Sequence, residues 1–142
     1  MIASEKVFFD TAPFIYLVED HPEYFSSVEK FFSIAEENHW SLVTSVLSIA
    51  EFGVKPQKEN KIEVIAAFHQ LLTDFHFQVY DINAEIAQQA YQLRAKYNFL
   101  KGMDALQLAT ALVSGCNRFF TNDKKLNKVE ELQLVMVEDV RV

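Results

Sequence analysis

The chain is short of the residues that many function classes require. Its 142 residues include three glycines, three prolines, one cysteine and one tryptophan. Three glycines leave no glycine-rich loop to cradle phosphates, and no lysine motif of the P-loop type is present. No G-x-S-x-G elbow occurs, which excludes an α/β hydrolase. The lone Cys116 cannot close an intrachain disulfide, which fits a reducing compartment, and beside Gly115 it reads as a small packing residue. His21, His39, His69 and His76 show no paired ligand spacing. No stretch reaches the roughly 20 apolar residues of a membrane span. The N-terminus meets Asp10 before any signal-like run develops. These absences predict a soluble cytoplasmic protein with no membrane role. Basic residues are also scarce, 13 against 20 acidic, for a net charge of −7. That excludes a general nucleic-acid coat, whose affinity comes from Lys and Arg neutralising phosphates.

What the chain does have is apolar residues, 50% of the total, and thirteen phenylalanines. Its length suits a single domain over residues 1–142, large enough to fold without a disulfide or structural metal. Short apolar runs alternate with longer amphipathic ones. Strands are expected at Val7–Phe9, Ser41–Thr44, Phe77–Tyr80, Phe119–Thr121 and Gln133–Val137. Helices are expected over Phe14–Glu19, with Pro13 in the first turn, and from Tyr24 to Ala35. A third runs from Val46 to Gly53, capped by Ser45 and stopped before Pro56. Others span Ile62 to Phe75, Asn83 to Tyr97, and Met103 to Ser114, the last ended by Gly115. Strands separated by one or two helices imply an α/β fold, a mostly parallel sheet of four or five strands covered on both faces. In such sheets ligands bind beyond the carboxyl ends of the strands.

Four acids fall where that rule directs attention. Asp10 ends the first strand, and Asp123 follows the fourth in FFTNDKKL. Asp104 lies in the first turn of the preceding helix, and Glu51 lies in the helix after the second strand. If the sheet is parallel the four converge at one edge. A carboxylate cluster supplies the oxygen ligands that a hard divalent cation prefers, and can support metal-assisted hydrolysis. Each acid also has a plainer explanation. Asp10 with Thr11 can form a turn and cap, Asp104 suits a helix N-terminus, and Asp123 can shape a turn. Glu51 can pair with Lys55 at i+4. Against four coincidences stands the setting of Glu51, among Leu47, Ile49, Ala50, Phe52 and Val54, where an acid needs a partner. Crowded carboxylates also repel, which predicts a raised pKa for at least one of them.

The order FFDTAPFIYLVE, SVLSIAEF, KGMDALQLATAL, FFTNDKKL resembles the PIN domain, and in particular the VapC-type toxin nucleases of toxin–antitoxin modules. The resemblance runs from residue 7 to about 137 and implies a PIN-like three-layer sandwich. It implies that Asp10, Glu51, Asp104 and Asp123 are the catalytic, metal-binding acids. Thr11 and Thr121 take the places of its small hydroxyl residues, and Asn122 has at most a supporting place beside the acids. It further implies a Mg²⁺- or Mn²⁺-dependent endoribonuclease, leaving a 5′-phosphate and a 3′-hydroxyl. A homodimer and a small antitoxin partner that covers the site follow from the same resemblance.

Other readings of an Asp at a strand end fit less well. A phosphotransfer receiver needs a paired acid near the chain start and a late-strand lysine, and a haloacid-dehalogenase-type phosphatase needs a second Asp after Asp10. Basic residues gather loosely at Lys55, Lys58 and Lys61, at Arg94, Lys96 and Lys101, and at Lys124, Lys125 and Lys128. Each group is a solvated face or a contact to the RNA backbone. Even a metal-loaded chain stays acidic, which favours a structured RNA recognised by shape. Thirteen phenylalanines exceed what one small core easily hides. Tyr16, Tyr24, Phe25, Phe31 and Phe32 are therefore candidates for a dimer surface. The alternative function is a catalytically inactive PIN-fold binding or scaffold module that keeps the acids for partner docking.

Overall fold

A computed structural model describes residues 5–142. The elements run β1 (Lys6–Phe9), α1 (Thr11–Val18), α2 (Phe25–Glu37), β2 (Ser41–Ser45), α3 (Val46–Lys58), α4 (Ile62–Asp74) and β3 (Gln78–Tyr80). They continue with α5 (Ala84–Lys96), α6 (Gly102–Val113), β4 (Arg118–Thr121) and β5 (Gln133–Met136), with short 3₁₀ turns at Lys124–Lys128 and Val137–Asp139. The five strands form one sheet in the order β3-β2-β1-β4-β5, and every pairing is parallel. From β1 the chain builds outward through β2 to β3, then crosses to β4 on the other side of β1. The order therefore reverses between β1 and β4, where Phe9 pairs with Phe120. Such a reversal opens a crevice at the carboxyl edge.

The central strands β1, β2 and β4 are buried on both faces, so their side chains divide by parity. Val7 and Phe9 join Phe120, Phe14, Phe31, Phe32, Phe52 and Phe68 in one core beneath α1–α4. Phe8 and Phe119 pack with Ile86, Leu93 and Leu108 on the other face, beneath α5 and α6. Phe9 is the hub of the first core. Its ring lies 4.9–5.8 Å from those of Phe14, Phe31, Phe32, Phe77 and Phe120. Two cores accommodate the phenylalanines that one would not, and none of the thirteen is exposed. Phe31 and Phe32, expected at a dimer surface, are each 4% exposed and belong to the interior. Tyr16, Tyr24 and Phe25 are half-buried.

Two helix boundaries differ from expectation. α1 starts at Thr11 because the Asp10 side chain accepts the Thr11 N–H and caps it, which leaves Pro13 still within the first turn. α3 does not stop at Gly53. It continues through Pro56 to Lys58. A proline this close to a helix end removes one bond, to the Phe52 carbonyl, and its ring is buried. Among the described residues no helix is long and apolar enough to cross a membrane.

Candidate functional site

All four singled-out acids line one cavity of about 570 Å³ at the carboxyl edge. Asp10, Glu51, Asp104 and Asp123 share it with Thr11, Ala12, Ile15, Tyr16, Met103, Gln107, Thr121 and Asn122. The parallel register explains the arrangement. Asp10 continues β1, and its N–H bonds to the Phe120 carbonyl at 2.9 Å, which sets it beside Thr121 at the end of β4. The Thr121 hydroxyl donates to Asp10 Oδ2 at 2.8 Å, and Thr121 Oγ1 accepts the Asp123 N–H at 3.2 Å. Glu51 and Asp104 come in from α3 and α6.

Each carboxylate rests on local donors. Asp10 takes the Thr11 N–H at 2.9 Å, and Glu51 takes the Thr11 hydroxyl proton at 2.7 Å. Asp104 accepts the Lys101 N–H at 3.3 Å, and Asp123 accepts the Lys125 N–H at 3.3 Å. The Lys125 ammonium lies 3.9 Å from Asp104 and 3.7 Å from Asp123. The capping and turn roles of Asp10, Asp104 and Asp123 are thus real, and compatible with a place in the cavity. Glu51 does not pair with Lys55, which reaches Glu19 instead at 3.9 Å. Nor is Glu51 buried among apolar neighbours, for Ala50, Glu51 and Val54 form an exposed strip of α3.

Burial raises the Asp10 carboxyl from its ordinary 3.8 to about 6. Hydrogen bonds from Thr121 and Thr11 pull it back, and the charges of Glu51 and Asp104 add smaller upward pushes. Loss of water, more than like-charge repulsion, is therefore the main cause of the shift.

The donor set fits a hard divalent cation. Among the described residues, no three His, Cys, Asp or Glu side chains stand close enough to hold one ion together. Mg²⁺ does not need three, since it binds through one or two carboxylates and keeps several waters. A second feature agrees with this. Asn122 Nδ2 donates to the Tyr16 hydroxyl at 3.2 Å, while Asn122 Oδ1 is buried with no donor facing it. A buried acceptor without a partner is uncommon and calls for a water or ligand proton.

Several cavity residues were not singled out from the sequence. Tyr16, a candidate for a dimer surface on sequence alone, lines the cavity and accepts the Asn122 amide N–H. Gln107 and Ser48 form a buried polar network under the acids. The available signal was an amide among the apolar residues Ala105, Leu106, Leu108 and Ala109, one helical turn after Asp104.

Comparisons with known proteins agree with this architecture. The family model described as PIN domain matches residues 7–132. A search of curated proteins gave no match. Among solved structures, the chain is similar to one titled as VapBC2 from Rickettsia felis bound to a DNA fragment from their promoter. The TM-score is 0.76 at 18% identity, covering 92% of this chain and 98% of the other. It is also similar to a toxin–antitoxin complex from Klebsiella pneumoniae, with TM-score 0.72, 22% identity and coverage of 92% and 97%. A third, Mycobacterium tuberculosis VapC20, titled a sarcin-ricin loop cleaving toxin, gives TM-score 0.69 at 14% identity, with coverage of 89% and 98%. With the family model spanning residues 7–132, from β1 through β4, and the acids gathered at the carboxyl edge of the sheet, the chain belongs to the PIN domain family.

Proposed function

We propose that this protein is a Mg²⁺- or Mn²⁺-dependent endoribonuclease, acting as the toxin of a toxin–antitoxin pair. The observation that carries the reading is the lining of one cavity by Asp10, Glu51, Asp104 and Asp123. A bound divalent cation would acidify water and offset charge building on a phosphate.

The chain's own residues supply the rest. One or two of the four acids would hold the cation directly and the others would meet it through its bound waters, with Thr121 orienting Asp10 and Thr11 orienting Glu51. Asn122 Oδ1 would accept a hydrogen bond from water or a ribose hydroxyl entering the cavity. Lys125 gives the acid rim a cation that can meet a backbone phosphate. Among the described residues no histidine lines the cavity, and water acidified by a bound cation would not need an imidazole base. With a net charge of −7, long-range attraction to RNA is absent, and a structured RNA recognised by shape is the favoured substrate.

An antitoxin partner is proposed because one similar structure is titled a toxin–antitoxin complex and another VapBC2 bound to a DNA fragment from their promoter. A second cavity, lined by Ile15, Val18, Glu19, Lys55 and Val64 among others, shares Ile15 with the acid cavity. A partner segment reaching the acids can lie along it. A homodimer and a cytoplasmic location belong to the same reading.

The test is cleavage of a panel of structured RNAs by the wild type and by Asp10→Asn and Asp104→Asn, with Mg²⁺ or Mn²⁺. The proposal expects cuts from the wild type alone. A wild type that binds the panel without cutting it would support the binding-module alternative.

A further inference from the structure

Beneath the acid cavity lies a polar network in a place where packing alone would have put apolar side chains. Gln107 is 2% exposed, and Thr44, Ser45 and Ser48 are fully buried. Around Gln107, α6 contributes Ala105, Leu108, Ala109 and Ala111 to the core. Counting protons fixes the direction of each bond. Thr44 has one hydroxyl proton, and it goes to the Phe9 carbonyl at 2.9 Å, because a carbonyl can only accept. The 2.9 Å contact between Thr44 and Ser48 must then be a donation from Ser48. Ser48 Oγ in turn accepts from Gln107 Nε2 at 2.9 Å. On its other side the Gln107 amide oxygen accepts the Ser45 hydroxyl proton, while Ser45 Oγ takes the Leu47 N–H at 3.1 Å. The three hydroxyl protons and one amide proton run in one continuous sense, from Ser45 through Gln107, Ser48 and Thr44 to the end of β1. Turning the amide round would leave the Thr44–Ser48 contact without a proton.

The positions along each helix give the network its meaning. Gln107 follows Asp104 by three residues on α6, and Ser48 precedes Glu51 by three on α3. Residues three apart share a helix face. The Gln107–Ser48 bond therefore ties together the two helix faces that carry Glu51 and Asp104, and the chain ends at Phe9, next to Asp10. Buried polar groups of this kind seldom earn their place through stability, since apolar replacements of similar shape are often neutral or stabilising. What a fully satisfied network does provide is a single permitted register.

We propose that Gln107 is a positioning residue, whose bonds to Ser45 and Ser48 fix α6 against α3 and so set the spacing of Asp104 and Glu51 for a divalent cation. The inference rests on the metal-dependent reading above and goes beyond it by assigning the residue that holds the acids in place.

The experiment uses Gln107→Leu, which keeps the volume and removes both bonds, and Gln107→Met as a more accommodating second variant. A third protein, Gln107→Leu with Ser48→Ala, takes away the hydroxyl that the first change leaves without its donor. Mn²⁺ affinity is measured by titration calorimetry on the folded proteins, well below each urea midpoint. Changes to groups that orient metal ligands typically weaken metal binding about 10–100-fold. The expected result is Mn²⁺ binding at least tenfold weaker in all three, with the added Ser48→Ala returning the urea midpoint toward wild type but not the affinity. Wild-type Mn²⁺ affinity in Gln107→Leu or Gln107→Met overturns the proposal, as does an affinity that recovers with stability in the double variant. In either case a wild type that still binds Mn²⁺ and cuts RNA leaves the proposed function standing. A wild type that binds no Mn²⁺ overturns both.

Discussion

Replacing Asp10 with Asn should stabilise the metal-free protein at neutral pH while removing its activity. The folded Asp10 carboxyl sits at about 6 and its ordinary value is 3.8. Below 3.8 both folded and unfolded forms carry the proton, and the group costs nothing. Between 3.8 and 6 the unfolded chain ionises while the folded one retains its proton, so stability falls as pH rises through that window. Above it the full difference applies, about 3 kcal/mol at 1.36 kcal/mol per unit. Asn carries no charge and escapes this cost. It keeps one acceptor for the Thr11 N–H or the Thr121 hydroxyl and gives up the other, a loss of about 1 kcal/mol. The net gain is about 2 kcal/mol, or roughly 5 °C in Tm for a chain of this size. Thermal unfolding in EDTA at pH 7.5 and at pH 4 measures it, and the gain should vanish at the lower pH. With Mg²⁺ at a hundred times Kd, the wild type alone should gain about 2.7 kcal/mol and overtake the variant. An Asp10→Asn protein that melts below wild type by the same margin at both pH values would refute the reasoning.

Lys125 stands within 4 Å of Asp104 and Asp123 and is partly exposed, so Lys125→Gln should strengthen Mn²⁺ binding. A change of about fivefold by calorimetry is expected, since charges near 4 Å interact by about 1 kcal/mol in water. Phe9→Ala opens the hub of five rings in the larger aromatic core and should cost about 3–5 kcal/mol by urea unfolding. Cys116 is buried with its thiol pushed upward by that burial, so a thiol reagent should label it only on unfolding, and Cys116→Ser should leave cleavage intact. Exposed apolar surface is confined to scattered side chains such as Tyr91 at 64% and Ile62 at 71%. If light scattering finds a dimer, Tyr91→Glu or Ile62→Glu should dissociate it and Phe25→Ser should not.

The strand and helix order was legible because a parallel sheet buries both faces of its central strands, which writes short apolar runs such as VFF in β1 and LV in β2 into the sequence. The position of Asp10 was legible for a related reason, since a strand that ends on an acid can end only at an edge. The extent of α3 was not. Gly53 and Pro56 both signal a stop, but the helix is carried past them by packing of Phe52 and Pro56 against the interior. The fate of the phenylalanines was misread because composition counts rings without saying that the sheet divides them between two cores. The setting of Glu51 was misread in the same way, since apolar neighbours in sequence lie on an exposed strip in space. Gln107 was hidden because its importance lies in serines 59 and 62 residues away, and no local pattern records such a pairing.

The central claim is that these four acids hold a divalent cation that cleaves RNA, and reversible metal dependence tests it most directly. One RNA cut by the wild type is followed in a single sample as Mn²⁺ is added, chelated with EDTA and added again, with the new ends identified. Cleavage should start, stop and restart, leaving 5′-phosphates, and a parallel sample of Asp10→Asn should show no cleavage at any stage. Cleavage that continues through EDTA, or that Asp10→Asn performs equally well, would contradict the account.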